Sequence, residues 1–268
     1  MDLQLDGRTA VVTGASKGIG LAVVRTLLEE GARVLAVSRT SGPELDALAG
    51  PDLVHAAEDL TDPQAPARAV ARAVEVFGGV DILVNNAGGP PPGVALPRFG
   101  FLTPGDRDWV EMFDFNLFSA VRAARAAIPV MLERGGGSVV NVSSGNARRP
   151  APMNVDYNAA KAALSNVSKA LSEEFGPRGV RVNTVSPGPV RTPWWTDEGG
   201  AADILAAQTG ADRQAVLDKV APEMMGLTTG RLVDPQEVAD VVVLLASPRS
   251  GSTTGTDVVV DGGFLKQV

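Results

Sequence analysis

The chain has 268 residues, of which 44% are apolar and 21% charged, with a formal net charge of -7. That length suits one large α/β domain or two small ones, the apolar content is too high for disorder, and an acidic balance without runs of like charge argues against nucleic acid as the main partner. The absence of Cys removes disulfides, thiolate catalysis and Cys-ligated zinc, and a single His, His55, removes a His-based metal site and a Ser-His-Asp triad.

The first residues carry no basic-then-apolar leader, and no stretch approaches the roughly 18 apolar residues of a membrane span, so a soluble, cytoplasmic protein is expected. Arg8–Thr13 reads as a short buried strand. Gly14-Ala-Ser-Lys-Gly18-Ile-Gly20 follows, then a helical apolar periodicity from Ile19 to Leu28 that Gly31 closes. Strand, glycine turn and helix is the setting in which backbone N–H groups and a helix N-terminus receive a pyrophosphate. The spacing is G-x3-G-x-G rather than the G-x-G-x-x-G fingerprint, and the G-K-[ST] ending of a P-loop is missing.

Arg33–Ser38 is the second strand. Its carboxyl end would face an adenosine ribose, where an acidic residue would hold a 2′-hydroxyl. Ser38 and Arg39 stand there instead. Arg39 can grip a phosphate bidentately, and Lys17 in the glycine turn adds a second cation, which favours NADP(H) over NAD(H).

Asp52–Ala57 is the third strand, with His55 near its end and Glu58, Asp59 and Leu60 beyond it. Asp62 and Pro63 are placed to start a helix that runs to about Gly78, Asp62 serving as N-cap. Val80–Val84 is strand four. Asn85-Asn86-Ala87-Gly88 comes straight after it: a device that locks neighbouring strands and lets a cofactor ribose pass, or simply a turn. Gly89–Gly105, rich in proline and glycine, is a loop. Asp106–Glu133 reads as one long helix that Pro129 kinks or ends. Asn116 lies in its first half among Phe113, Phe115, Leu117 and Phe118, so its amide needs partners, as a core amide or as part of a site.

Gly137–Val142 is strand five and leads into Ser143 and Ser144. The helix Val155–Phe175 carries Tyr157-x-x-x-Lys161, a spacing that sets both side chains on one face, one turn apart. An ammonium beside a phenol favours the phenolate and lowers a pKa that is otherwise about 10, which makes an acid–base pair. Ser144 could fold back toward the tyrosine and hold a substrate oxygen. Val180–Val185 is strand six, followed by a rigid turn through Pro187, Pro189 and Pro193. Trp194 to Thr229 is irregular, with two short helical patches and two adjacent tryptophans, either a binding lid or plain packing. Asp234 and Pro235 open a last helix that reaches Leu245, and Asp257–Val260 is the last strand, ended by Asp261-Gly262-Gly263. The alternation predicts a parallel, doubly wound α/β sheet of about seven strands with right-handed crossovers. Every polar motif then falls near the carboxyl end of a strand, where sites in such sheets lie.

Taken in this order, Thr13-Gly14-x-x-x-Gly18-Ile19-Gly20, Asp59-Leu60, Asn85-Asn86-Ala87-Gly88, Asn116, Ser144, Tyr157-x-x-x-Lys161, Pro187-Gly188 and Asp261-Gly262-Gly263 resemble the motif series of the short-chain dehydrogenase/reductase family over nearly the whole chain. The resemblance implies one Rossmann-type domain over residues 1–268, with a substrate loop at about 189–229, that transfers a hydride between NADP(H) and a carbonyl or secondary alcohol. Tyr157 is then the general acid in reduction and the base in oxidation. Lys161 holds the nicotinamide ribose and lowers the phenol's pKa, Ser144 positions the substrate oxygen, and Asn116 supports a water-linked relay behind Lys161. Cofactor contacts would come from Gly14, Ser16, Lys17, Gly18, Ile19 and Gly20 in the glycine turn, and from Ser38 and Arg39 at the second strand. Asp59 and Leu60 would flank the adenine, Asn86, Ala87 and Gly88 the adenosine ribose, and Pro187, Gly188, Val190 and Thr192 the nicotinamide.

The pair Lys17 and Arg39 resembles that of the NADPH-preferring carbonyl and xylulose reductases. Enoyl reductases of the superfamily have a wider Tyr-to-Lys spacing, and its extended, epimerase-like branch has a shorter glycine loop. The departure is the long, proline-rich loop Gly89–Gly105, which should border the substrate cleft and leaves the substrate open. Two other functions stay in view: a non-catalytic NADP(H)-binding sensor, and a 3-oxoacyl-carrier-protein reductase that would use Arg148 and Arg149 as a basic docking patch. No metal, nucleic-acid or membrane partner is expected. The resemblance also implies a homotetramer or homodimer, built from the Asn116 and Tyr157 helices and from the last helix with the last strand.

Overall fold

The computed structural model of the chain describes residues 1–94 and 97–267. Its strands are β1 (Thr9–Thr13), β2 (Arg33–Ser38), β3 (Leu53–Ala57), β4 (Ile82–Asn85), β5 (Gly137–Val142), β6 (Val180–Pro187) and β7 (Asp257–Val260). Its helices are α1 (Gly18–Glu29), α2 (Pro43–Asp46), α3 (Ala65–Phe77), α4 (Asp106–Phe113), α5 (Ser119–Glu133), α6 (Val155–Phe175), α7 (Pro193–Thr196), α8 (Ala201–Thr209), α9 (Arg213–Ala215), α10 (Ala221–Met225) and α11 (Pro235–Ala246).

The strands form one sheet in the order β3-β2-β1-β4-β5-β6-β7, every pairing parallel. The chain winds outward from β1 to β3, crosses back to β4 beside β1, and winds outward the other way to β7. The crevice beyond the carboxyl ends of β1 and β4 is the place such a sheet offers a ligand. Helices on both faces explain why the strands read as apolar runs rather than alternations. Val12, Val34, Val84, Val140 and Val185 face the layer of α1 and α11, while Val11, Leu35, Leu83, Val139 and Val182 face that of α3 and α5.

β2, β5, α6 and β7 have the bounds the sequence predicts, and the remaining strands shift by one or two residues. The differences lie elsewhere. Asp62 does not cap a helix: its Oδ1 accepts from Gln64 N at 2.9 Å and its other oxygen pairs with Arg68 at 2.7 Å, closing a turn before α3 begins at Ala65. Pro129 does not end its helix, which runs on to Glu133; the irregularity is a π turn at Asp114–Phe118 that joins α4 to α5. The stretch after β6 is more helical than its sequence suggests, because another π turn, Val216–Val220, joins α9 to α10. Trp195, at 3% exposure, is enclosed with Ala202, Val216, Leu217, Ala221, Leu227 and Leu232, whereas Trp194 is 40% exposed. Packing is thus the role of one tryptophan of the pair. Asp106–Glu133 is also long and apolar enough to cross a membrane, with a mean hydropathy of 1.2 over its apolar window, but half of that window is buried in the fold. Interspersed alanines raise that mean without making an unbroken apolar run.

The predicted loop Gly89–Gly105 includes Ala95 and Leu96, which lie outside the described residues.

Candidate active site

Between β1 and α1 the chain turns through Gly14, whose φ of 65° is left-handed. Gly20 packs against this turn so closely that a Cβ on it would overlap the Gly14 carbonyl oxygen and stand 2.5 Å from Asn86 Nδ2. Only glycine fits there. Asn86 Nδ2 donates to the carbonyls of Thr13 and Gly14 at 3.0 and 3.1 Å, and the backbone N–H groups of Asn86 and Ala87 donate to Thr13 Oγ1. The amides after β4 therefore do lock that strand end to the glycine turn.

Helix α1 starts after Lys17 with no side-chain cap and no acidic residue in its first turn. Ser16, Lys17, Gly18 and Ile19 thus surround N–H groups and a positive dipole end that suit a pyrophosphate. Lys17 Nζ meets Asp197 at 3.5 Å, both side chains exposed. Thr192 lies over the same turn, its methyl 3.2 Å from where a Gly18 side chain would begin. Arg39 is exposed after β2. Ser38 is not free in the same way: its hydroxyl donates to Thr40 O at 2.9 Å and lies 3.0 Å from His55 Nε2. Of the two residues expected at a 2′-phosphate, Arg39 is the open one. Asp59 accepts from Thr61 N and Oγ1 at 3.0 and 2.9 Å, while Leu60 is buried beside it. Pro187 ends β6, Gly188 N donates to Val260 O at 3.0 Å, and Val190 is buried and bridged to Val233.

The residues expected to react converge at the ends of β4 and β5. Gly89 N donates to Asn116 Oδ1 at 2.8 Å, and Asn116 Nδ2 donates to Gly89 O at 2.9 Å and Met112 O at 3.1 Å. The amide of Asn116, 1% exposed, is therefore satisfied by backbone, and the π turn around it sets its direction. A side chain on Gly88 would stand 2.8 Å from Lys161 Nζ and 3.0 Å from Asn116 Oδ1, so the lysine and the amide close on one glycine.

Lys161, 2% exposed, donates to Val142 O at 2.8 Å. Burial drives its pKa down from 10.5 to about 8. The Tyr157 ring centroid lies 5.9 Å from this ammonium. The sequence leads one to expect that the ammonium lowers the phenol's pKa. In the structure burial dominates and pushes the Tyr157 phenol up, and the group that opposes the rise is Ser144, through a side-chain hydrogen bond. Ser144 Oγ in turn accepts from Asn146 N at 3.1 Å, which fixes the turn after β5.

A family profile described as Enoyl-(Acyl carrier protein) reductase matches residues 14–265. The chain belongs to the short-chain dehydrogenase/reductase family. It is 38% identical over 262 residues to the short-chain reductase protein NovJ of Streptomyces niveus, covering 95% of this chain and 92% of that one. It is 36% identical over 272 residues to L-xylulose reductase of Bos taurus, covering 99% of each. L-sorbose reductase from Gluconobacter frateurii, solved with NADPH and L-sorbose, matches 100% of both chains with a TM-score of 0.90 and 34% identity. As a short-chain dehydrogenase/reductase the protein is an oxidoreductase that acts on a small molecule.

Several residues that build this site were not among the site residues expected from the sequence. Ser143 Oγ donates to Lys161 O at 3.0 Å and lies 2.8 Å from Ser165 Oγ, which pins α6 to the end of β5. Asn85 Nδ2 donates to Asn141 Oδ1 and Asn141 Nδ2 to Ser168 Oγ, both at 2.8 Å, so a buried polar chain runs from β4 through β5 to α6. The signal was a polar residue near the end of each apolar strand. Arg148 and Arg149, the residues expected as a docking patch, are exposed and each has a partner within the chain. Arg148 pairs with Asp257 at 2.9 Å, and Arg149 donates to Phe264 O at 2.6 Å with its guanidinium 4.5 Å over the Phe264 ring. Both cations are engaged within the chain.

Proposed function

We propose that this short-chain dehydrogenase/reductase is an NADP(H)-dependent carbonyl reductase, reversible as an alcohol dehydrogenase, with Tyr157 as general acid and base. The observation that carries the proposal is the Tyr157 phenol with Ser144 beside it and its ring 5.9 Å from the ammonium of Lys161, which is buried one helical turn on. When bound, the nicotinamide supplies or accepts the hydride. The residues supply the rest. A phenol whose pKa is raised keeps its proton at neutral pH and can hand it to the oxygen that gains charge as a carbonyl is reduced. Ser144 holds the same oxygen by hydrogen bonding. Lys161 uses one N–H on Val142 O and keeps two for ribose hydroxyls. Asn116, satisfied by Gly89, holds the backbone behind Lys161.

NADP(H) rather than NAD(H) is supported by Lys17 and Arg39, with no acid at the end of β2, and by NADPH in the L-sorbose reductase structure. Carbonyl rather than enoyl reduction is supported by the three-residue gap between Tyr157 and Lys161. The segment at about 189–229, with Trp194 exposed, is proposed as the substrate loop. Ketoses and related hydroxyketones are the first substrates to test, since L-xylulose reductase and L-sorbose reductase are among the similar proteins.

The test is NADPH consumption against ketoses, diketones, quinones, cyclic ketones and 3-oxoacyl thioesters, with NADH in parallel. One class should turn over, faster with NADPH. Tyr157→Phe should lower kcat by about 10²- to 10⁴-fold and leave NADPH affinity nearly unchanged. Tight NADPH binding with no turnover of any carbonyl would favour the non-catalytic sensor instead.

A further inference from the structure

The proline-rich loop is pinned at both ends to the groups just described. At its start Gly89 is clamped by the Asn116 amide, beside Lys161. Farther on, Arg98 N donates to Asn154 Oδ1 at 2.7 Å and Asn154 N donates to Arg98 O at 2.9 Å. Phe99 forms an antiparallel bridge with Met153, and Gly100 N donates to Pro152 O at 3.3 Å. The loop therefore leaves the site at Lys161 and returns to it just ahead of Tyr157.

An ion pair closes the second attachment. Arg98 Nη1 lies 3.0 Å from Asp156 Oδ2, with side-chain exposures of 12% and 0%. The other Asp156 oxygen accepts from Tyr157 N at 2.9 Å. One carboxylate is thus bonded both to the loop and to the backbone of the reacting tyrosine. Arg98 also reaches Asp108 on α4 at 3.5 Å. Asn154 adopts left-handed backbone, φ 51° and ψ 44°, to make its contacts, a conformation that surrounding bonds must enforce. Burial does not hold this loop, because Phe99, Phe101 and Leu102 are 59%, 66% and 93% exposed. Its polar tether does. A buried ion pair adds little stability over an apolar pair, which points to a use in fixing one geometry.

We propose that Arg98 and Asp156 are positioning residues for the carbonyl substrate: their ion pair fixes the returning strand of the proline-rich loop against the first turn of α6, making it a rigid wall of the substrate cleft beside Tyr157. This rests on the assignment of Tyr157 as the acid. It does not involve the cofactor-binding turn between β1 and α1.

The experiment compares Arg98→Ala, Arg98→Lys and Arg98→Ala/Asp156→Ala in the full chain. Arg98→Ala strands a buried carboxylate and could unfold the protein. The double variant removes both charges and keeps the test open. For each, melting temperature, NADPH affinity, hydrogen exchange of the segments 97–104 and 152–158, and carbonyl kinetics are measured. The double variant should keep NADPH affinity within about twofold, as expected of distant sites. Its carbonyl KM should rise about tenfold or more, the effect of losing a positioned wall. Exchange should quicken in both segments together, and Arg98→Lys should recover most of the KM. A double variant with wild-type KM and wild-type exchange overturns the proposal, as does a loss of NADPH affinity that parallels the rise in KM. If the wild type reduces no carbonyl, the proposed function fails by itself. Joint exchange of the two segments then still decides whether the pair couples them.

Discussion

A lysine that is 2% exposed keeps a charge at a cost, and Lys161 shows it in a pKa lowered from 10.5 to about 8. Because the native pKa lies below the unfolded one, the unfolded chain holds a proton that the native chain has released between those two values. Stability should therefore rise with pH across that window, by on the order of 3 kcal/mol, and fall back as pH drops through about 8. Urea unfolding of wild type and Lys161→Met at pH 7.5 and at pH 10 checks this. The wild type should gain on the variant at the higher pH, and parallel curves would refute the assignment. At the adenosine end, Arg39→Asp should weaken NADPH far more than NADH. A charge-assisted pair contributes about 1.5–3 kcal/mol, which is about ten- to a hundredfold in Kd. Competitive titration of both nucleotides reads it, and an unchanged preference would remove the 2′-phosphate assignment. That Tyr157, Lys161 and Ser144 come together was legible in the sequence, because residue type and spacing along one helix and one strand end set it. The direction of the phenol's pKa was not, since it is set by burial, which no spacing reports. Nor was the engagement of Ser38 by Thr40 and His55, which needs β2 beside β3.

Elements were legible where local signals agree. Asp234 before Pro235 announces α11, and the structure closes a reciprocal cap there: Asp234 Oδ1 accepts from Gln236 N at 2.8 Å and Glu237 Oε2 from Asp234 N at 2.8 Å. Arg231 joins the cap and, with that backbone bond, holds the Glu237 carboxyl down at about 2. Asp234→Ala should cost about 1 kcal/mol, or about 2–4 °C in melting temperature for a chain of this size. Calorimetry of variant and wild type measures it, and an unchanged midpoint would mean the cap is redundant. The same signal misled at Asp62, where Arg68 and Gln64 draw the carboxylate into a turn and α3 starts later without a side-chain cap. Pro129 does not end its helix, since α5 runs on to Glu133, while the irregularity falls around Asn116, whose amide is bonded to Gly89. The helices between Pro193 and Met225 were legible only as two short patches for a related reason: their apolar residues converge on Trp195 from separate short turns and form no single periodic stripe.

At the scale of the molecule, motifs scattered from Gly14 to Thr192 meet because every strand runs the same way and the winding reverses between β1 and β4. That convergence followed from the alternation of strands and helices alone. What covers the outer faces did not, and the exposed apolar residues raise it. Val110 and Phe118, on the helix that also holds Asn116, are 65% and 44% exposed, and Leu244 on α11 is 40% exposed. These are two of the surfaces on which the sequence leads one to expect self-association. A stable interface buries about 1,000 Å² or more with an apolar centre, so each surface should lose assembly when its centre is charged. Sedimentation of the wild type should give a homotetramer of the 27.6 kDa chain. Val110→Asp/Phe118→Asp should leave only the contact through α11, and Leu244→Asp only the contact through α4 and α5, so each variant should sediment as a dimer with NADPH binding retained. A wild type that is monomeric at micromolar concentration would discard the assembly. A wild-type dimer that only one of the two variants splits would assign it to a single surface.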